Sequence, residues 1–133
     1  DFYDPFFYIF NDIIILDPHD KKKVLLYPYS VFPPTDFHTA TLIGNQIFII
    51  GRMGLDIPED GSTPVYILNV DSYKISEFKI NNLIPGCVNS HKAELTREGI
   101  IISSGKILAN NKKMTNFNEK YLLNIKELRW IKL

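Results

Sequence analysis

The chain has 133 residues, of which 45% are hydrophobic and 23% charged, an ordinary globular composition. Its 15 basic and 15 acidic residues cancel, so it lacks the basic excess of a general nucleic-acid or anionic-membrane binder. The apolar runs, such as 47–50, fall far short of the ~20 residues needed to span a bilayer.

Taken in chain order, the first residues are densely aromatic: Phe2, Tyr3, Phe6, Phe7, Tyr8 and Phe10. Strands are predicted over 12–16 and 23–27, with Asp17-Pro18 as the turn former between them and Lys21, Lys22 and Lys23 as a solvated basic run. The next pair, 38–43 and 46–50, is separated by Gly44-Asn45, the two-residue spacing of a tight hairpin. A polar loop over 54–62 follows, in which Asp56, Glu59 and Asp60 cluster without the ligand order of a calcium loop. Strands then recur over 65–70 and 75–80, with Asp71-Ser72 at the turn, and again over 91–96, 99–103, 120–125 and 129–133. Helix-favouring residues lie within 116–128, but the matching slot at 65–70 is plainly strand, so strand is predicted there too.

The elements repeat. Segment 38–52 aligns without gaps on 91–105, 53 residues later, bringing His38, Ala40 and Leu42 onto His91, Ala93 and Leu95. A second element occurs three times, ending at Asp17, Asn69 and Asn124, spaced by 52 and 55 residues. Each copy is followed by a short turn and another strand. Repeats of this length built of antiparallel strands are a signature of stacked or radial sheet arrays.

These residues resemble the kelch repeat, whose pattern is an apolar strand ending in a glycine pair, then a Tyr, then a later aromatic. The matching residues are Ile47 to Gly51, Tyr66 and Tyr73 in one unit, and Ile100 to Gly105, Tyr121 and Trp130 in the other. The run from Phe32, Pro33 and Pro34 through His38 to Thr41 is similar to a group of bacterial kelch-motif proteins. The pair departs from the pattern as Gly51-Arg52 and Ser104-Gly105, which puts Arg52 where a second glycine is expected. The resemblance implies an all-β fold, a kelch-type β-propeller segment of about two and a half four-stranded antiparallel blades. Its parts would be a half blade over 1–30 and blades over 36–80 and 90–133, with His38, Gly51, Tyr66, His91, Gly105, Tyr121 and Trp130 as structural repeat positions. Because kelch rings resemble closed circles of about five to seven blades, upstream blades or further copies of the chain are expected to complete this one.

By the same resemblance the function would be that of a non-catalytic module for protein–protein interaction or scaffolding, with a protein partner and neither nucleic acid nor membrane. The alternatives are the propeller portion of a sugar-modifying or oxidoreductase-type enzyme, or a structural segment of a larger protein. No phosphate loop, nucleophile elbow or zinc spacing is present in the sequence, so no catalytic residue, metal or cofactor is assigned. Cys87, the single cysteine, has no internal disulfide partner, which favours a reducing compartment and hence the cytoplasm. Candidate partner contacts are the loop acids Asp56, Glu59 and Asp60 and the cations Arg52 and Lys106. The two cations fall just after the second strand of each unit and would form a positive spot for a carboxylate or acidic motif.

Overall fold

The computed structural model describes residues 8–19, 21–53, 61–84, 86–109 and 113–133. Thirteen strands are seen among them: β1 (Asp12–Leu16), β2 (Lys22–Leu26), β3 (Thr39–Ile43), β4 (Gln46–Ile50), β5 (Val65–Asn69), β6 (Ile75–Glu77), β7 (Cys87–Asn89), β8 (Lys92–Leu95), β9 (Gly99–Ser103), β10 (Lys106–Leu108), β11 (Met114–Asn116), β12 (Lys120–Asn124) and β13 (Arg129–Lys132). All ten predicted strands are present, including β12 and β13 where helix propensity competed. The strands missed are β7, β10 and β11, of three residues each, too short for an alternating pattern to show.

Every pairing is antiparallel. The sheets are β1-β2, β3-β4-β5-β6, β8-β9-β12-β13 and β7-β10-β11. The turns that join them follow from local chemistry. Gly44 takes φ +60° at the first position of the β3–β4 hairpin, and Ile43 pairs directly with Gln46 across it. At the ends of β5 and β12 the same device appears twice. The Asn69 side-chain oxygen accepts from the backbone N–H of Asp71 and Ser72, and that of Asn124 from Lys126 and Glu127. Four residues after each Asn, Tyr73 and Leu128 take left-handed φ values of 55° and 52°. At the end of β1 the Asp17 carboxylate accepts from the His19 N–H. The repeat seen in sequence is thus a repeat of Asx turns closing hairpins.

Two cores hold the sheets together. The larger is built from Phe48, Ile50 and Val65 of one four-stranded sheet and Ile100, Ile102, Leu123 and Trp130 of the other, with Ile84, Val88 and Phe117 filling between them. The smaller joins Ile49, Leu68 and Ile75 to Phe32, and the β1–β2 hairpin leans on it through Ile13 and Tyr27. Strand β4 therefore buries both faces, Phe48 and Ile50 on one side and Ile49 on the other, which is why its sequence runs apolar without alternation.

The propeller expectation is not met. Among the described residues the strands make four discrete antiparallel sheets of two, three, four and four strands, and none closes into a circular arrangement. Radial blades need one equivalent sheet per repeat. Here the chain between β9 and β12 leaves its own sheet to form the β10–β11 hairpin, whose β10 pairs with β7. The kelch resemblance and the propeller fold class fall with it. A four-strand unit closed by the same turns repeats in any all-β fold that uses it twice, whatever the packing between copies.

Candidate functional site

Where β4 ends, the backbone is clamped from two sides. The Gly51 N–H donates to the Pro64 carbonyl (2.9 Å) and the Arg52 N–H to the Val88 carbonyl (3.1 Å). Gly51 lies at φ +74°, and a Cβ there would stand 2.2 Å from the Val88 oxygen, so only glycine fits. The buried Cys87 thiol donates to the Arg52 carbonyl. These contacts fix the Arg52 backbone and send its side chain inward. Arg52 is 7% exposed, and its Nε has no hydrogen-bond partner among the described residues. The ion pairs Arg129–Glu127 and Lys132–Glu119 lie elsewhere, on exposed side chains.

Arg52 lines an open cleft of about 360 Å³ between the start of β5 and the chain leaving β6. Ser62, Thr63, Tyr66, Glu77 and Lys79 supply its other polar residues. The Thr63 hydroxyl is already committed, donating to the Gly86 carbonyl and accepting from the Val88 N–H. Tyr66 packs its ring edge-on against Phe32 at 5.2 Å. Burial pushes its phenol pKa up, against the pull of the Arg52 charge, so the phenol stays protonated and can donate.

A second polar cluster stands where the two four-stranded sheets meet. Phe37 and Ser90, at equivalent repeat positions, take φ 50° and 51°, and the Ser90 N–H donates to the Phe37 carbonyl. His91 follows, 6% exposed, with Nε2 2.8 Å from the Thr39 hydroxyl and Nδ1 unpartnered among the described residues. Its pKa is lowered to about 4, first by desolvation and then by His38 nearby. The equivalent His38 is exposed. Its pKa is lowered less, by desolvation opposed by the Asp36 carboxylate, and solvent access leaves that shift with little consequence. Asp36 accepts from the Met53 N–H through one oxygen and buries the other without a partner among the described residues. Repeat equivalence therefore does not make the two histidines alike. Among the described residues no group of three or more His, Cys, Asp or Glu side chains is placed to hold a metal ion.

The other candidates are scattered. Lys106 lies on β10 and donates to the Asn116 side chain at 2.7 Å, outside the cleft lining, so it and Arg52 make no common positive spot. Asp56, Glu59 and Asp60 lie outside the described residues. Gly105, at φ +94°, packs against the Asn89 carbonyl and the His91 backbone, Tyr121 stacks on Phe117 at 6.1 Å, and Trp130 is buried in the larger core. Sequence reasoning found Arg52 because it stands where a second glycine was expected. It missed Ser62, Glu77 and Lys79, which reach the cleft only through the β5–β6 pairing.

No protein-family model and no curated protein matches this chain. With four unclosed sheets among the described residues, this removes the ground for the functions that the kelch resemblance implied, both the scaffolding module and the sugar-modifying or oxidoreductase-type enzyme. The cleft must be read from its own chemistry.

Proposed function

We propose that this chain is a binding module that takes a singly charged anionic group in the Arg52 cleft. The observation that carries the reading is an arginine 7% exposed, its Nε without a partner among the described residues, on the wall of an open cleft. Arginine does not shed its proton in proteins, and a buried cation without a counter-charge costs several kcal/mol. An anion arriving from solvent offsets that cost, so the site is poised for one. A volume of about 360 Å³ falls in the range of small-ligand sites.

The test is titration of the full chain with sodium acetate and with inorganic phosphate, followed through the NMR resonance of the Arg52 Nε–H. At least one anion is expected to shift that resonance saturably, and Arg52→Met to abolish binding. Replacing a buried charge that makes no ion pair among the described residues by an apolar side chain of similar length is expected to leave stability unchanged or raised. Absence of any response to either anion sinks the reading. So does strong destabilisation by Arg52→Met, which makes the guanidinium a structural group.

A further inference from the structure

We infer that the anion this cleft takes is the carboxylate of a small apolar acid, a reading that rests on the anion site proposed above and narrows its ligand. Three features of the cleft converge on it.

The first is charge. Among the described residues Arg52 and Lys79 are the cationic lining residues and Glu77 the anionic one, so this part of the lining carries a single net positive charge. A monoanion neutralises it, whereas a phosphate dianion leaves an excess beside the Glu77 carboxylate. The second is donor supply. Phosphate sites gather many N–H donors, commonly at a helix N-terminus, and the described residues contain no helix. The Thr63 hydroxyl hydrogen is spent on Gly86. Beside the Lys79 ammonium the cleft offers a planar guanidinium, whose fork matches the two oxygens of a carboxylate, with the Tyr66 phenol as a further donor.

The third feature is the rest of the wall. Val65, Phe78, Ile80 and Leu83 also line the cleft. Phe78 stands edge-on to Phe48 at 5.4 Å and Val65 is 2% exposed, so this side is rigid core rather than movable surface. Leu83 is 50% exposed and offers apolar surface that a ligand can cover. A carboxylate held by Arg52 places its hydrocarbon body against these residues, and apolar area removed from water there adds to affinity.

Isothermal titration calorimetry of the full chain with acetate, hexanoate and inorganic phosphate separates the possibilities. Hexanoate is expected to bind about tenfold or more tightly than acetate, through burial of its methylenes. Phosphate is expected to bind no more tightly than acetate. Arg52→Met should remove hexanoate binding, and Arg52→Lys should weaken it by losing the fork while keeping the charge. Leu83→Ser, at a half-exposed position that does not threaten folding, should shrink the hexanoate-to-acetate ratio to about threefold or less. Equal binding of hexanoate and acetate overturns the apolar body, and tighter binding of phosphate overturns the carboxylate, while either result leaves the anion site standing. Absence of binding by all three removes the anion site itself. Hexanoate binding that survives Arg52→Met also overturns the inference, since the carboxylate is then not what is recognised.

Discussion

Arg52 and His91 are both basic side chains out of solvent, and the chain treats them in opposite ways. His91 stays neutral. Its folded pKa of about 4 lies below the ordinary imidazole value of 6.5, so between those values the unfolded chain binds the proton and the folded chain does not. The stability this contributes is complete above pH 6.5, falls as the pH drops towards 4, and falls no further below that. Urea unfolding at steps from pH 7.5 to 4 should show a loss of about 3 kcal/mol attributable to this residue, and His91→Gln should lack that part of the loss. A pH profile unchanged by the substitution would show that the ring titrates as in solvent. The facing groups, Thr39, His38 and Asp36, include a carboxylate only on the His38 side, where it opposes the shift of His38 rather than that of His91. Arg52 has no such escape, because it cannot neutralise itself, and that is why it and not His91 marks the site. At this scale the sequence singled out both residues by repeat position. It could not separate exposed His38 from buried His91, since burial depends on which sheet edge meets which.

Among the elements, the hairpins are specified most locally. Asn69 and Asn124 each accept two backbone N–H groups at their turns, so Asn69→Ala and Asn124→Ala should each cost about 1 kcal/mol in denaturant unfolding. Because the turns lie in different sheets, the double variant should cost their sum within about 0.5 kcal/mol. A cost near zero for both would mean that strand pairing alone sets these hairpins. A different pairing closes the far edge of the β8–β13 sheet. There the Asn82 side chain accepts from the Trp130 N–H and donates to its carbonyl, standing in for a neighbouring strand along β13. The ten strands legible in the sequence are, apart from the three-residue β6, those of four or five residues beside such turns. The three that were not, β7, β10 and β11, are held by partners distant in sequence, as when Lys106 pairs with both Asn89 and Asn116, and no local pattern announces them.

For the molecule as a whole, the layers differ in how firmly they are held. The four-stranded sheets share the larger core, in which Ile50, Ile100, Ile102 and Leu123 are fully enclosed. The β1–β2 hairpin touches the rest through the smaller core, through the Tyr27 hydroxyl bonded to the Tyr73 carbonyl, and through Lys23 over the Tyr73 ring. Its other face leaves Ile14, Leu16, Val24 and Leu26 exposed. A two-stranded sheet is marginal alone, so native-state hydrogen exchange should find β1 and β2 amides opening at a lower free energy than those of β9 and β12. Equal protection throughout would show one cooperative unit. The sequence by itself determined the all-β class, the strand positions beside strong turns and the twofold recurrence of a four-strand meander, because each of these rests on contacts within a few residues. The tertiary structure alone decided that the meanders stand as separate sheets without a ring, that one histidine of an equivalent pair is buried, and that Arg52 faces Tyr66, Glu77 and Lys79 across a cleft. Those outcomes depend on pairings and packing between residues far apart in the chain, whose geometry the local pattern leaves open.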